Sequence, residues 1–202
     1  IGVGQIKVSE TPLKGVLLIE RYTFRDSRGM YGEIYSPEVY REHGITADLN
    51  AEDNFSVSRN NVLRGIHGDN RTWKLISCIQ GAFYLAVLNF DRKSDQFGQW
   101  TSFILSRENM LQVLVPPKFG NGHLILTNEA VFHYNQSHRY QGAHNQFTVR
   151  WDDPRFKWST EAKSKAAKKQ LRLEAIDALE THYEGCHQPR AVAREFGMRL
   201  GE

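Results

Sequence analysis

Cysteine is nearly absent from this chain: Cys78 and Cys186 are the only two among 202 residues. Two thiols build neither a disulfide framework nor a zinc cluster, and a reducing, cytoplasmic setting is the expectation. An excess of either charge is also missing. The 26 Lys and Arg against 23 Asp and Glu leave a net +3. That is too little to argue for nucleic acid, yet it fits cations clustered around a small anionic ligand. No apolar run approaches the roughly 20 residues that cross a bilayer; residues 15–20 and 82–88 are among the longest. The opening Ile1-Gly-Val-Gly4 turns polar within a few residues, so no signal peptide and no membrane association are expected. Low-complexity tracts are lacking as well. What remains, 40% hydrophobic and 11% aromatic, suffices for the core of one domain of ordinary size.

The alternation of helix and strand that marks a Rossmann-type sheet is missing too. Over residues 1–158 the pattern is instead one of short strands and turns. Strands are expected at 15–24, 30–35, 53–58, 73–79, 82–90, 100–105, 112–115, 122–126, 130–135 and 147–151. Breaks fall at Arg25-Asp-Ser-Arg-Gly29, Gln80-Gly81, Gln96-Phe-Gly98 and Gly120-Asn-Gly122. A single short helix is expected at 36–43, opened by Ser36-Pro37. Many short, evenly spaced strands mean an antiparallel sandwich or barrel, with a jelly roll favoured. After residue 158 the composition changes. Ala167, Leu171, Ala175, Leu179 and Tyr183 recur at helical spacing, and a second helix is expected from Pro189 to Leu200. The reading is therefore a β domain over 1–158 and a helical extension over 159–202. Lys163, Lys165, Lys168 and Lys169 read as a solvated helix face rather than a binding patch. No recognition helix follows Arg190-Ala-Val-Ala-Arg-Glu-Phe-Gly197, so no DNA-binding unit is read there.

The chemistry gathers around Asn61-Val-Leu-Arg-Gly-Ile-His-Gly-Asp69. His67 titrates near neutrality, which suits proton abstraction beside a carbonyl. Arg64, three positions earlier, offers a guanidinium suited to bidentate phosphate contact. Lys74, on the next strand, could stabilise a developing enolate oxygen. Further on, the glycines of Pro116-Pro-Lys-Phe-Gly-Asn-Gly-His123 would let backbone approach a ligand closely. Tyr134 shares a face with Phe132 on an alternating strand. Were it to face His67 across a pocket, a base and an acid would flank one carbon, as epimerisation requires.

Several ordered blocks together resemble the signature of the dTDP-4-dehydrorhamnose 3,5-epimerase family: Phe24-Arg-Asp-Ser-Arg-Gly29, Asp53-Asn-Phe-Ser56, Asn61 to His67, Lys74-Leu-Ile-Ser-Cys-Ile-Gln-Gly81, Phe97-Gly-Gln-Trp100, Leu105-Ser-Arg-Glu-Asn109, Gln112-Val-Leu-Val-Pro116 and Trp151-Asp-Asp-Pro154. The resemblance implies a jelly-roll cupin, a homodimer in which an early strand crosses to the partner, and no metal or redox cofactor. It implies epimerisation at C3, C5 or both of a nucleotide-diphosphate-linked 4-keto-6-deoxy sugar. His67 falls on the family's general base, Tyr134 on its general acid and Lys74 beside the enolate. Arg28, Tyr31, Glu33, Asn54, Arg64, Asn121 and His123 fall among substrate contacts, and Tyr140 on a base-stacking aromatic.

The chain departs from the family in places. Asn121 stands where a histidine is common, Glu52 where a glutamine is, and Leu85 where an aspartate is. The Leu-Ser-x-Lys-Asp segment whose aspartate orients the family's histidine is replaced by the lysine-rich helix, and Asp177 does not match it. Asp69 and Tyr84 are then the nearest candidates in sequence to orient His67. The Gly-Ile-His-Gly-Asp and Gly-Asn-Gly-His variants are similar to a branch acting on GDP-linked 6-deoxy-4-keto heptoses, so either a dTDP- or a GDP-linked sugar is expected. Three alternatives accompany this reading: a non-catalytic nucleotide-sugar-binding cupin, a 3,4-ketoisomerase, and an Fe(II) oxygenase using His67-Gly-Asp69 with His138 or His144 and Arg150.

Overall fold

The computed structural model describes residues 5–150, 153 and 155. The helices expected over 159–202 lie outside the described residues. Two antiparallel sheets face each other. The first has six strands in the order β1 (Ile6–Glu10), β2 (Leu17–Arg21), β10 (Gln112–Val115), β7 (Lys74–Gln80), β12 (Glu129–Gln136) and β5 (Glu52–Arg59). The second has five: β13 (Phe147–Thr148), β6 (Leu63–Gly68), β11 (Phe119–Ile125), β8 (Ala82–Asn89) and β9 (Trp100–Ser106). Neighbours distant in sequence, such as β10 between β2 and β7, give the jelly-roll crossing that the strand rhythm predicts. A ribbon of β3 (Thr23–Asp26) and β4 (Gly29–Gly32) joins neither sheet. Among the described residues no helix is long and apolar enough to cross a membrane.

Strand alternation builds the core. Ile76 and Cys78 of β7, Val113 and Val115 of β10, and Phe132 of β12 project from the first sheet. They meet Phe83, Leu85 and Val87 of β8, Leu105 of β9 and Ile125 of β11 from the second, and all are buried. Leu85 is fully buried here, where an unpaired charge would be costly. A second cluster, with Ile19, Leu75, Leu114 and Tyr40, covers the outer face of the six-stranded sheet. Tyr40 comes from the one α-helix among the described residues, α1 (Pro37–Glu42), which begins after Ser36 with Pro37 in its first turn, as the Ser-Pro start predicts.

Local readings change: no strand is expected over 63–68, where β6 stands, and three further points differ. The strand expected over 15–24 divides between β2 and β3 as the chain leaves the sheet for the ribbon. The polar Ile6–Glu10 segment, not anticipated as a strand, pairs with β2 along its whole length. The third change concerns the glycines near Asn121. A Cβ at Gly120 or Gly122 would lie 2.6 or 2.8 Å from the Ile66 side chain. They make room for Ile66 and so hold β6 close to β11, rather than admitting a ligand.

Gly65 matters most. Four residues of β6, from Arg64 to His67, face only three of β11, since Asn121 pairs with His67 and His123 with Arg64. That is a β-bulge, and Gly65 takes φ +105° within it. A Cβ there would meet the backbone of Asn121 and Gly122 at 2.6 Å. Strict alternation would set Arg64 and His67 on opposite faces; the bulge returns both to the same one. Gly65→Ala is expected to destabilise the protein by roughly 1–3 kcal/mol, read as a lower urea midpoint, because neither the torsion nor the contact can relax cheaply.

Candidate active site

Residues directly opposite in an antiparallel sheet share a face. Across the five-stranded sheet this rule gives one row: Thr148 opposite His67, His67 opposite Asn121, Asn121 opposite Val87. Val87 belongs to the barrel core, so His67 and Asn121 face the interior. The next row holds Arg64, His123 and Leu85. Across the six-stranded sheet Lys74 is opposite both Val115 and Gln136, and Tyr134 is opposite Ile76. These face the same interior from the other side.

Lys74 links the two halves. Its ammonium lies 6.0 Å over the Tyr134 ring, and it is near enough to His67 to help hold the imidazole's pKa below its ordinary 6.5, burial being the larger cause. Burial likewise lowers Lys74, opposed in part by the Asp69 carboxylate. Tyr134 moves the other way. Burial, reinforced by the Glu52 carboxylate, raises its phenol, while a hydrogen bond with Asn54 partly offsets this. The outcome is an imidazole that stays neutral, able to accept a proton, and a phenol that keeps one to give. The acidic limb of a pH–rate profile should therefore fall below pH 6.5, the ordinary imidazole value. A limb rising above that value would mean that His67 is not the titrating base.

A scaffold supports the phenol. Glu52 accepts from Asn54 Nδ2 at 2.9 Å, from the Tyr140 backbone N–H at 2.6 Å and from Gln136 Nε2 at 3.3 Å. One carboxylate thus ties β5, the end of β12 and the loop carrying Tyr140. The Glu52 carboxylate serves as acceptor in all three of these contacts.

Deeper in, two side chains hold buried atoms without a hydrogen-bond partner: Asn121 Oδ1 and His123 Nε2. His123 stacks on Phe132 with ring centroids 4.1 Å apart. Burial, with the Arg64 guanidinium beside it, pushes its imidazole down to about 3, so it is neutral. Arg64 donates from Nε to Ser58 Oγ at 2.8 Å, which holds the side chain along β5. At the edge of the site a groove of about 190 Å³ is lined by Arg71, Gln136, Arg139, Tyr140 and neighbouring loop residues.

The remaining expected contacts are not brought to this interior within one chain. Arg28 pairs with Asp26 at 2.5 Å on the free ribbon, and Tyr31 on the same ribbon is 71% exposed. The Glu33 backbone carbonyl accepts from Arg21 at 3.2 Å.

The two sequence candidates for orienting His67 give way to a third residue. Asp69 Oδ1 accepts the backbone N–H groups of Arg71 and Thr72 at 2.8 and 2.7 Å, closing its own loop. Tyr84 alternates with Phe83 and Leu85 and so projects from the opposite face of β8. The partner of His67 Nδ1 is Thr148 Oγ1, at 3.1 Å. No local pattern in Phe147-Thr-Val-Arg150 signals this role; only the pairing of β13 with β6 creates it. The His67, Asp69, His138 pattern does not converge on a metal either. Asp69 serves its loop, His138 bonds to Ser137 Oγ at 2.9 Å, and among the described residues no group of three or more His, Cys, Asp or Glu is placed to hold an ion.

Fold and interior together define a two-sheet jelly-roll protein whose barrel carries an imidazole, an ammonium and a phenol. More particularly, the chain belongs to the dTDP-4-dehydrorhamnose 3,5-epimerase family, whose model matches residues 10–176. The Escherichia coli enzyme of that name is 30% identical over 180 residues, 86% of this chain and 96% of its own. The Salmonella typhimurium enzyme is 32% identical over 149 residues, 72% and 81% of the two chains. A crystal structure of dTDP-6-deoxy-D-glucose-3,5-epimerase from Legionella pneumophila, in complex with dTDP-4-keto-L-rhamnose, superposes with a TM-score of 0.70 at 31% identity, covering 75% of this chain and 81% of that one.

Proposed function

We propose that this protein inverts C3, with C5 as a second centre, of a nucleotide-diphosphate-linked 4-keto-6-deoxy sugar, by removal and return of a proton through an enolate. The observation that carries this reading is the placement of Lys74. A desolvated ammonium lies within electrostatic reach of an imidazole on one sheet and over a phenol on the other. A sugar ring placed there has its 4-keto oxygen on Lys74. That oxygen acidifies the neighbouring C–H. His67 takes the proton from one face, the C–H electron pair moves into the C=C–O⁻ system, and charge gathers at the oxygen where the ammonium meets it. Tyr134 returns a proton to the same carbon from the opposite face, and the phenolate and imidazolium then exchange protons with solvent. The activity named for the relatives, and the dTDP-4-keto sugar in the Legionella complex, support this substrate class.

The peripheral groove fits the nucleotide end. Arg71 and Arg139 offer charge to a diphosphate, and Tyr140, 56% exposed, offers a ring to a base. The working unit is a homodimer in which the β3–β4 ribbon delivers Arg28, Tyr31 and Glu33 to a second copy. Apolar exposure of Phe24 and Tyr31 on that ribbon supports this. The setting is the cytoplasm, which the two-cysteine composition favours.

The test is NMR in D₂O with a panel of dTDP- and GDP-linked 4-keto-6-deoxy hexoses and heptoses. Deuterium should enter at C3, at C5, or both, with inversion. Binding without exchange in every case would favour a non-catalytic cupin, and a carbonyl migrating to C3 would identify a ketoisomerase.

A further inference from the structure

We propose that the Thr148 hydroxyl is the positioning group for His67, fixing the imidazole so that Nε2 is the atom turned to the substrate. This rests on the reading of His67 as base. The geometry has three parts. First, Thr148 lies directly opposite His67 in the β13–β6 pair, so Oγ1 reaches Nδ1 at 3.1 Å from the neighbouring strand. Flanking backbone bonds, Ile66 N to Val149 O at 3.2 Å and Val149 N to Ile66 O at 2.9 Å, hold that register. Second, threonine is β-branched and stiff about χ1, so its hydroxyl is delivered by the backbone rather than by a flexible stem.

Third, β13 is anchored at the preceding residue. The Phe147 ring packs on Phe90, centroids 4.6 Å apart. It also lies where a Cβ at Gly68 or Gly120 would meet it at 2.5 or 3.2 Å. Those two glycines thus admit a ring that fixes a two-residue strand, and the strand fixes one hydroxyl.

The consequence for chemistry follows from tautomers. An imidazole that is to accept a proton at Nε2 must carry its own proton on Nδ1. Thr148 Oγ1 accepts a hydrogen bond from that Nδ1–H. When His67 takes the substrate proton at Nε2, the Nδ1–H bond to Oγ1 persists and the threonine itself neither gains nor loses a proton. A hydroxyl orients the ring as a carboxylate would, but without a negative charge beside the imidazolium.

The experiment compares Thr148→Val, Thr148→Ser and His67→Ala with the unmodified protein. It follows kcat, KM and solvent deuterium uptake on an accepted 4-keto sugar, together with ¹⁵N NMR of the His67 ring above its pKa. Thr148→Val keeps the side-chain volume and removes the acceptor. Its kcat is expected to fall about 10- to 100-fold with KM changed by no more than about twofold, the pattern of a misaimed group rather than a lost binding contact. Thr148→Ser should recover to within about threefold of the unmodified rate, because the hydroxyl is restored on a freer stem. The ¹⁵N spectrum of the unmodified protein should show the Nδ1–H tautomer, and that of Thr148→Val a mixture.

An unchanged kcat in Thr148→Val, or an Nε2–H tautomer in the unmodified protein, overturns the assignment. Loss of exchange in His67→Ala beside full activity in Thr148→Val removes the positioning role and leaves the base intact. Retained exchange in His67→Ala removes both. Should Thr148→Val not fold, the tautomer of the unmodified protein and the rate of Thr148→Ser decide the matter between them.

Discussion

His67→Ala is expected to lower kcat by about 10²–10⁴-fold, the usual contribution of a positioned general base, and to abolish deuterium uptake at the sugar carbons. The side chain is exposed to the barrel opening, so the melting temperature should not move. Two effects could compete in this variant. Removing the neutral ring beside Lys74 opens the ammonium to water and relieves the burial that lowers its pKa, which would ease binding of an anionic ligand. It also leaves no group at that place to accept a proton. The second dominates the rate, because the first acts only on binding and is screened at an open site. Substrate affinity should therefore hold or improve while turnover collapses. Deuterium uptake at the unmodified rate would show that another group removes the proton.

Tyr134→Phe is expected to separate exchange from inversion. The substitution removes one oxygen and keeps the ring, which packs against Phe132 at 5.5 Å and remains under Lys74. His67 can still remove the proton and Lys74 can still hold the enolate. What is lost is the donor on the other face. The enolate then recovers a proton from His67 on the face it left, or slowly from solvent. Inversion should fall by about 10²-fold or more, within the range for a lost general acid, while recovered substrate gains deuterium with its configuration retained. Full inversion in this variant would refute Tyr134 as the acid even with His67 correct. The two variants divide the reaction at the enolate: His67→Ala prevents it from forming and Tyr134→Phe prevents its productive collapse.

Much of the architecture is legible in particular stretches. Alternation in the segment that became β12 places Ala130, Phe132 and Tyr134 on the core side, whereas in β5 the alternating Phe55 and Val57 turn outward, 71% and 46% exposed. Ser36-Pro37 marks α1 through the restriction proline places on its own torsion. The assignment of His67, Lys74 and Tyr134 to one interior follows from the same alternation once the sheets are paired. Other features are not legible. Gly65 reads as a turn-permitting residue, and nothing local says that it is a bulge inside a strand. Gly120 and Gly122 look like room for a ligand, yet the room is taken by Ile66, more than fifty positions earlier. Asp69 looks like a partner for His67 because it is near in sequence. It spends its carboxylate on the loop between β6 and β7, where short-range backbone N–H groups compete successfully for it.

The sequence by itself determined the antiparallel β class and which side chains offer the chemistry to abstract, hold and return a proton. These depend on side-chain chemistry and on local periodicity, and both are written residue by residue. The tertiary structure alone decided that Arg64 and His67 share a face, that Glu52 ties Asn54, Gln136 and Tyr140 together, and that Thr148 stands at Nδ1 of His67. Apart from the local Glu52–Asn54 contact, each of these joins residues 54 to 88 positions apart. Register is set by the whole ladder and core at once, so no short stretch of the chain contains it.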